Sequence, residues 1–384
     1  MGKRIKATAL LLVFSIISII FPDGFIHINS SLAAASYSTI SHETEQAFIE
    51  RLKSAVENFT ELVTISDLKI PKTYDFNDIF YKFLKDYPEY FYLSSNYSAS
   101  FKSNYFTYFG LNFTNEIDEI VPMREDFNRA TEEALSGIDS SWPDVMKALY
   151  LHDYIILNAE YDTDFDEWNT DFDDMCYTAY GILVDKKGVC QGYSYAYSCL
   201  LNAVGIENEL VSSEDMCHVW NLVKIDGSYY HVDLTFDDTE YNNIGRAKHS
   251  NFMLSDSKIV NASGTKHYVW EDSTAIRANS TKYDDFFWRN IESGFFPIDN
   301  MWYFTDKKGN INSYDPKTNG IKTLMNVDVN WKRWGYTSEY LNDKYVRLLA
   351  LSDKIIYNTD SEIYMTDTNA IKPEKIFKAD VTSG

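Results

Sequence analysis

Cysteine is scarce in this chain, with four in 384 residues. Cys176, Cys190, Cys199 and Cys217 are too few for a disulfide scaffold, and they form no Cys-x-x-Cys pair and no zinc-ligand spacing. Two ordinary disulfides stay open on this reading. Positive charge is short as well: 35 Lys and Arg against 57 Asp and Glu give a formal net charge of −22. Such a surface repels phosphate backbones and anionic lipid, which argues against nucleic-acid binding. It admits cationic partners such as Lys-rich chains, although solubility alone also accounts for it. No nucleotide, haem or flavin motif is present, and no cofactor is implied.

Long apolar runs are missing too. The 15 residues of Ala7–Phe21 are short for a membrane span, which needs about 20. Lys3, Arg4 and Lys6 precede them, and Leu32-Ala33-Ala34-Ala35-Ser36 offers a small-residue cleavage site after Ala35. Residues 1–35 therefore read as a Sec-type signal segment, and the expected destination is secreted or cell-surface. Membrane contact is expected only through this segment, if it stays uncleaved. No Cys follows it to carry a lipid.

Aromatic residues are plentiful, with 29 Tyr and 24 Phe, which favours folded domains over long disorder. Residues 36–145 read as a mainly helical region. Helical spacing covers 42–64, opened by Ser41 as N-cap, and roughly 75–87. Tyr90 to Phe113 alternates as a hairpin would. Helix resumes over 122–160, broken near Ser140-Ser141-Trp142-Pro143, with Pro143 as the first residue of the next helix. A core follows over 146–280, then an accessory β-rich region over 281–384. There Asn310-Ile311 and Asp315 recur 52 residues on as Glu362-Ile363 and Asp367, each behind an aromatic strand. Two such units suggest propeller-like hairpins without a closed propeller. The expected class is α+β.

Residues 188–238 carry the chemistry. Asp226-Gly227 is a type I′ turn signal between two runs of strand character, Cys217–Lys224 and Tyr229–Thr235. Symmetric pairing about the turn sets Ile225 opposite Ser228, Leu222 opposite His231 and Trp220 opposite Asp233. His218 and Asp233 then share a face as diagonal neighbours, with Cβ atoms about 7–8 Å apart, within imidazole–carboxylate reach. Cys190 follows Gly188 at a loop-to-helix junction, and Gly205 ends that helix. A helix N-terminus favours thiolate, an imidazole completes its activation, and a carboxylate fixes the imidazole's tautomer.

Bland readings exist for each residue. Cys190 as a buried apolar residue and His218 as a satisfied core histidine are weaker than the functional reading, given the Gly-flanked helix start and the shared face. His231 lies on that face too, as rival base or, better, a structural or substrate-lining residue. Cys199 is most simply core. Asp162, Asp164 and Asp166 stand at positions one, three and five of a calcium loop. Glu167 sits where that loop needs Gly and Asp173 where it takes Glu, so a solvated acidic loop is favoured.

Three ordered motifs, Gly-Val-Cys-Gln-Gly-Tyr at 188–193, His-Val-Trp-Asn at 218–221 and Tyr-Tyr-His-Val-Asp-Leu-Thr-Phe-Asp-Asp at 229–238, resemble the transglutaminase-like core of the papain-like thiol superfamily. His152-Asp153-Tyr154, Tyr161-Asp162 and Asn251–Ser255 extend the likeness to its bacterial exported members. The resemblance implies a thiol enzyme with Cys190 as nucleophile, His218 as general base and acid, and Asp233 as orienting carboxylate. It implies a protein or peptide substrate, and transfer to an amine or hydrolysis. A cell-surface amidase and a non-catalytic binding module are the competing classes. Gln191-Gly192 stands where cross-linking members carry Trp, and no Gln precedes Cys190 to complete an oxyanion hole. Tyr161 is the candidate second donor; Gln191, Trp220 and His231 are candidates for lining the substrate.

Overall fold

Ser41 starts the first helix as expected: its Oγ accepts the Thr44 N–H at 3.2 Å, and α1 runs His42–Glu57. Phe48, Leu52, Ala55 and Val56 recur on its buried side. The helix ends at Asn58, and Phe59 takes φ 51°. Leu62–Thr64, expected to prolong the helix, is therefore strand β1, paired to Tyr108–Gly110. Strands β2 (Leu93–Lys102) and β3 (Tyr105–Phe113) are the expected hairpin, in a sheet ordered β1-β3-β2. Helix α2 spans Asn77–Asp86. Phe109 gathers Phe48, Phe80 and Tyr97 around it at centroid distances of 5.1, 5.4 and 4.9 Å. These rings form the core of a first unit, residues 38–84 and 92–117.

The computed structural model describes residues 38–163, 174–238, 245–262, 266–271, 273–329, 333–334, 340–341, 346–370 and 372–378. The signal segment and most of the acidic loop, Asp164 and Asp166 included, lie outside these residues. No helix among the described residues is long and apolar enough to cross a membrane.

The second unit takes in residues 85–91 and the chain from Asp118 onward. Helix α3 (Ile117–Leu135) begins five residues before the expected start, and Pro143 caps α4 (Asp144–Asn158) instead of opening it. A short parallel pair, β4 (Glu160–Tyr161) with β5 (Lys187–Gly188), leads into α5 (Cys190–Ala203). Tyr193, Ala196, Tyr197, Leu200 and Leu201 bury one side of α5, and the Tyr197 hydroxyl donates to the Ala148 carbonyl of α4 at 3.0 Å. Ala203, at the end of the helix, is exposed.

An antiparallel sheet comes next, ordered β6-β7-β8-β9: Asn208–Ser213, His218–Ile225, Ser228–Val232 and Phe252–Leu254. Two one-turn helices, α6 (Leu234–Asp237) and α7 (Asp256–Ile259), flank β9 in sequence. The C-terminal part holds two four-stranded antiparallel meanders. The first is β10 (Phe296–Ile298), β11 (Met301–Thr305), β12 (Asn310–Asp315) and β13 (Gly320–Asn326). A strand pair, β14 (Arg333–Trp334) with β15 (Tyr340–Leu341), separates it from the second. That one is β16 (Leu348–Leu351), β17 (Lys354–Asn358), β18 (Glu362–Asp367) and β19 (Glu374–Lys378). The repeat seen in the sequence is this doubled sheet. Each meander breaks register at the same point, between Ile311 and Asn312 in one and Ile363 and Tyr364 in the other. Tyr303, Ile311, Leu348 and Ile355 bury a core drawn from both. The architecture is α+β, as the sequence indicated.

Candidate active site

Two glycines set the nucleophile in place. A Cβ on Gly188 or Gly192 would stand 2.7 or 2.6 Å from the Cys176 carbonyl oxygen, so only glycine lets that strand of chain cross so closely. The Val189 N–H donates to the same carbonyl at 3.0 Å. Val189 is extended and offers no side-chain cap, so Cys190 opens α5 with the first-turn N–H groups unclaimed by a capping side chain. Its thiol is half-buried.

Helix α5 is tied to β7, whose first residue is His218. Ser194 Oγ donates to the Val219 carbonyl at 3.1 Å, and the Asn221 amide donates to the Ser194 carbonyl at 3.1 Å and to Ser198 Oγ at 2.9 Å. These bonds fix the helix start against the strand start.

The hairpin has the anticipated register. Asp226 and Gly227 take φ 51° and 78°, and pairing runs from Ile225↔Ser228 through Leu222↔His231 to Asn221↔Val232. The expected strand to Thr235 stops at Val232, because Asp233 leaves the ladder to cap α6. Its Oδ1 accepts the Phe236 N–H at 3.1 Å, and its Oδ2 accepts His218 Nε2–H at 2.7 Å. That leaves Nδ1 as the other ring nitrogen, and Cys190 lies near enough to be among the groups that raise His218. The His218 ring lies between Phe236 and Trp220, at 4.5 and 5.6 Å and within 24° and 23° of parallel. Burial works against a charge on this ring, but the Asp233 carboxylate and the thiol outweigh it, raising His218 to about 10. Burial likewise opposes charge on Asp233, and the two histidines facing it hold its carboxyl well below the usual range.

The second of those histidines has no signal in the sequence. His267, wholly buried, donates Nε2–H to the same Asp233 Oδ2 at 2.7 Å. It lies in a stretch without strand or helix period, so only the tertiary fold reveals it.

Tyr161 pairs with Gly188 and is 40% exposed. Its hydroxyl is pushed up by burial and then by Cys190 close by. Gln191 is turned away, its amide donating to the Tyr177 carbonyl at 3.3 Å. Trp220 and His231 are wholly buried and so line no open cleft. Trp220 Nε1–H donates to His231 Nδ1 at 2.9 Å, leaving His231 Nε2–H for Asp256 at 3.0 Å. Both ring nitrogens are spoken for, and burial lowers the His231 pKa, so the rival base is a neutral core residue. Of the calcium candidates only Asp162 is described, and it is paired with Lys187 at 2.9 Å. All four cysteines are free. Cys199 is buried; the Cys176 thiol is pushed up to about 12 by burial and by Asp174.

A second buried cluster supports α6 from its far end. His152 sits between Asp153 at 2.9 Å and Asp237 at 3.4 Å, and Asp153 also takes His249 Nε2 at 2.8 Å and the Phe295 N–H at 2.7 Å. The donor atoms of His152, Asp153 and His249 lie within 4.8 Å of one another, and so, as a separate group, do those of His218, Asp233 and His267. In both groups these atoms are engaged in direct N–H···O bonds, which makes them hydrogen-bond clusters.

Residues 134–234 match the model of the transglutaminase-like superfamily, a span that contains Cys190, His218 and Asp233. That stretch of the chain is similar to a transglutaminase-like core. No curated protein matches it. Among solved structures it is similar to a TGase at 12% identity and TM-score 0.27, covering 38% of this chain and 46% of that one. A protein from Cytophaga hutchinsonii provisionally named a cysteine protease aligns at 15% identity and TM-score 0.23, over 36% and 55% of the two chains. An arylamine N-acetyltransferase from Salmonella typhimurium aligns at 10% and 0.22, over 66% and 86%. The chain spans about half the length of the first two.

Proposed function

We propose that this protein is an exported thiol enzyme that opens amide bonds through a thioester on Cys190. The arrangement that carries the reading is Cys190 at the start of an uncapped helix, near a His218 that is bonded to Asp233 at 2.7 Å. The Cys190 thiolate attacks the carbonyl of a protein glutamine or a peptide bond. The His218 imidazolium gives its proton to the departing ammonia or amine. A lysine amine or water then attacks the thioester, His218 taking that nucleophile's proton, and the thiolate leaves. The tetrahedral oxyanion is met by the Cys190 N–H and, as second donor, the Tyr161 hydroxyl; one such donor is worth about 2.7–4 kcal/mol of barrier.

The signal-like segment supports action outside the cytoplasm, on proteins or peptides at the cell surface. The acidic surface suits Lys-bearing partners. Iodoacetamide labelling at mildly acidic pH tests the core of this reading. Cys190 should react far faster than a free thiol, and His218→Ala should abolish the advantage. Labelling of Cys190 at the rate of a simple thiol would remove the enzymatic reading. Amine incorporation into a Gln-bearing protein, against release of new termini, separates transfer from hydrolysis.

A further inference from the structure

We infer that His267 is a positioning residue of this site, sharing the Asp233 carboxylate oxygen with His218 and so limiting how tightly that carboxylate holds the His218 imidazolium. The inference rests on the reading of Cys190 and His218 as the reacting pair. Both Nε2 atoms lie 2.7 Å from the same Oδ2, and Asp233 is only 1% exposed. Water therefore cannot dilute the competition. The other ring nitrogen of His267, Nδ1, is buried with no hydrogen-bond partner among the described residues, so its bond to Asp233 is the polar contact that holds the ring.

A buried carboxylate facing a single imidazolium binds its proton too strongly for an efficient general acid, whose pKa should lie near the working pH. A second N–H on the same oxygen draws off part of that acceptor strength. The direction does not depend on the charge of His267. Whether His267 is a neutral donor or a cation, its removal leaves Asp233 freer to stabilise the charged form of His218. The surrounding ionisable groups are His218 from β7, Asp233 from the β8–α6 junction and Cys190 from α5. Beyond Trp220 lie His231 of β8 and Asp256 of α7. The His267 ring is packed against Trp220 and Phe236 at 4.5 and 5.3 Å, which fixes its plane.

The experiment measures Cys190 alkylation and amide turnover against pH in the full chain, for wild type, His267→Phe and His267→Gln. His267→Phe should carry the alkaline limb, where the imidazolium is lost, upward by roughly half a pH unit, about threefold in the ionisation equilibrium. The acid limb should stay in place. His267→Gln, which keeps an N–H donor, should bring the limb back toward wild type. A uniform loss of rate at every pH, with the limb unmoved in His267→Phe, would overturn the inference. If the Phe variant fails to fold, ring-nitrogen NMR of the wild type decides. A proton on His267 Nε2 whose signal moves as His218 is titrated supports the shared oxygen; a ring protonated only at Nδ1 overturns it. Wild-type Cys190 reacting no faster than a free thiol is a separate result, and it strikes the parent reading before any His267 variant is compared.

Discussion

Asp233 and Asp237 stand at the two ends of one helical turn, joined by the Asp237 N–H to Asp233 carbonyl bond of 3.2 Å, and each carboxylate serves a different buried histidine cluster. The oxygens of Asp233 are divided between duties, Oδ1 capping α6 and Oδ2 receiving the imidazoles.

The two duties are separable by mutation. Asn caps a helix about as well as Asp, so Asp233→Asn should keep the turn while removing the carboxylate that fixes the His218 tautomer. Turnover should fall by about ten-thousandfold, the size of a tautomer error in a Ser-His-Asp arrangement. Asp233→Ala should be less stable than Asp233→Asn by about 1 kcal/mol, the worth of a cap. Denaturant unfolding of both variants beside turnover checks this, and equal stabilities would contradict the capping duty.

The glycines flanking the nucleophile should tolerate nothing larger. Gly192→Ala would set a methyl 2.6 Å from a backbone oxygen, which has no flexible end to yield. A cost of about 1–3 kcal/mol is expected, with Cys190 alkylation slowed because the helix start is displaced. A variant as reactive and as stable as wild type would show that the crossing can open freely.

Stability should decline on the alkaline side. His218 and His152 are raised to about 10 and about 9 against an ordinary value near 6.5, in each case because paired carboxylates outweigh burial. A base with a raised folded-state pKa adds stability that is fully present below the unfolded value and drains away as pH climbs to the folded one. The thermal midpoint should therefore drop between about pH 7 and pH 10. His152→Gln should flatten part of that slope. Asp233 and Asp153 are shifted the other way, so their contribution is held above the ordinary carboxylate range and lost in acid. Midpoints measured from pH 3 to pH 10 test both arms.

The proposed second oxyanion donor has its own signature. Tyr161→Phe removes only a hydroxyl from a partly exposed ring. It should lower kcat by about a hundredfold or more while leaving the alkylation rate of Cys190 nearly unchanged, since alkylation builds no oxyanion. Loss of both rates together would place Tyr161 in thiol activation instead.

The hairpin was readable because its signals are local. A type I′ turn fixes the register, and a period of two then assigns every side chain to a face, which is how His218 and Asp233 could be matched beforehand. The strand end was misread because Thr235 and Phe236 have strand character, while the capping oxygen of Asp233 decides for helix. Leu62 and Val63 misled in the opposite sense, carrying a helical spacing past the turn at Phe59. Burial of Trp220 and His231 depended on Asp256 and Trp270, which lie far along the chain. His267 and the pairing of His152 with Asp237 are long-range contacts between segments with no common pattern, and a one-dimensional reading has nothing from which to infer them.

The matched break in the two C-terminal meanders has a consequence of its own. A register break changes local twist, so two sheets interrupted at equivalent residues share one device for bending at that point. A change of residue at the break that is tolerated on one sheet is thus a rational guess for the same position of the other.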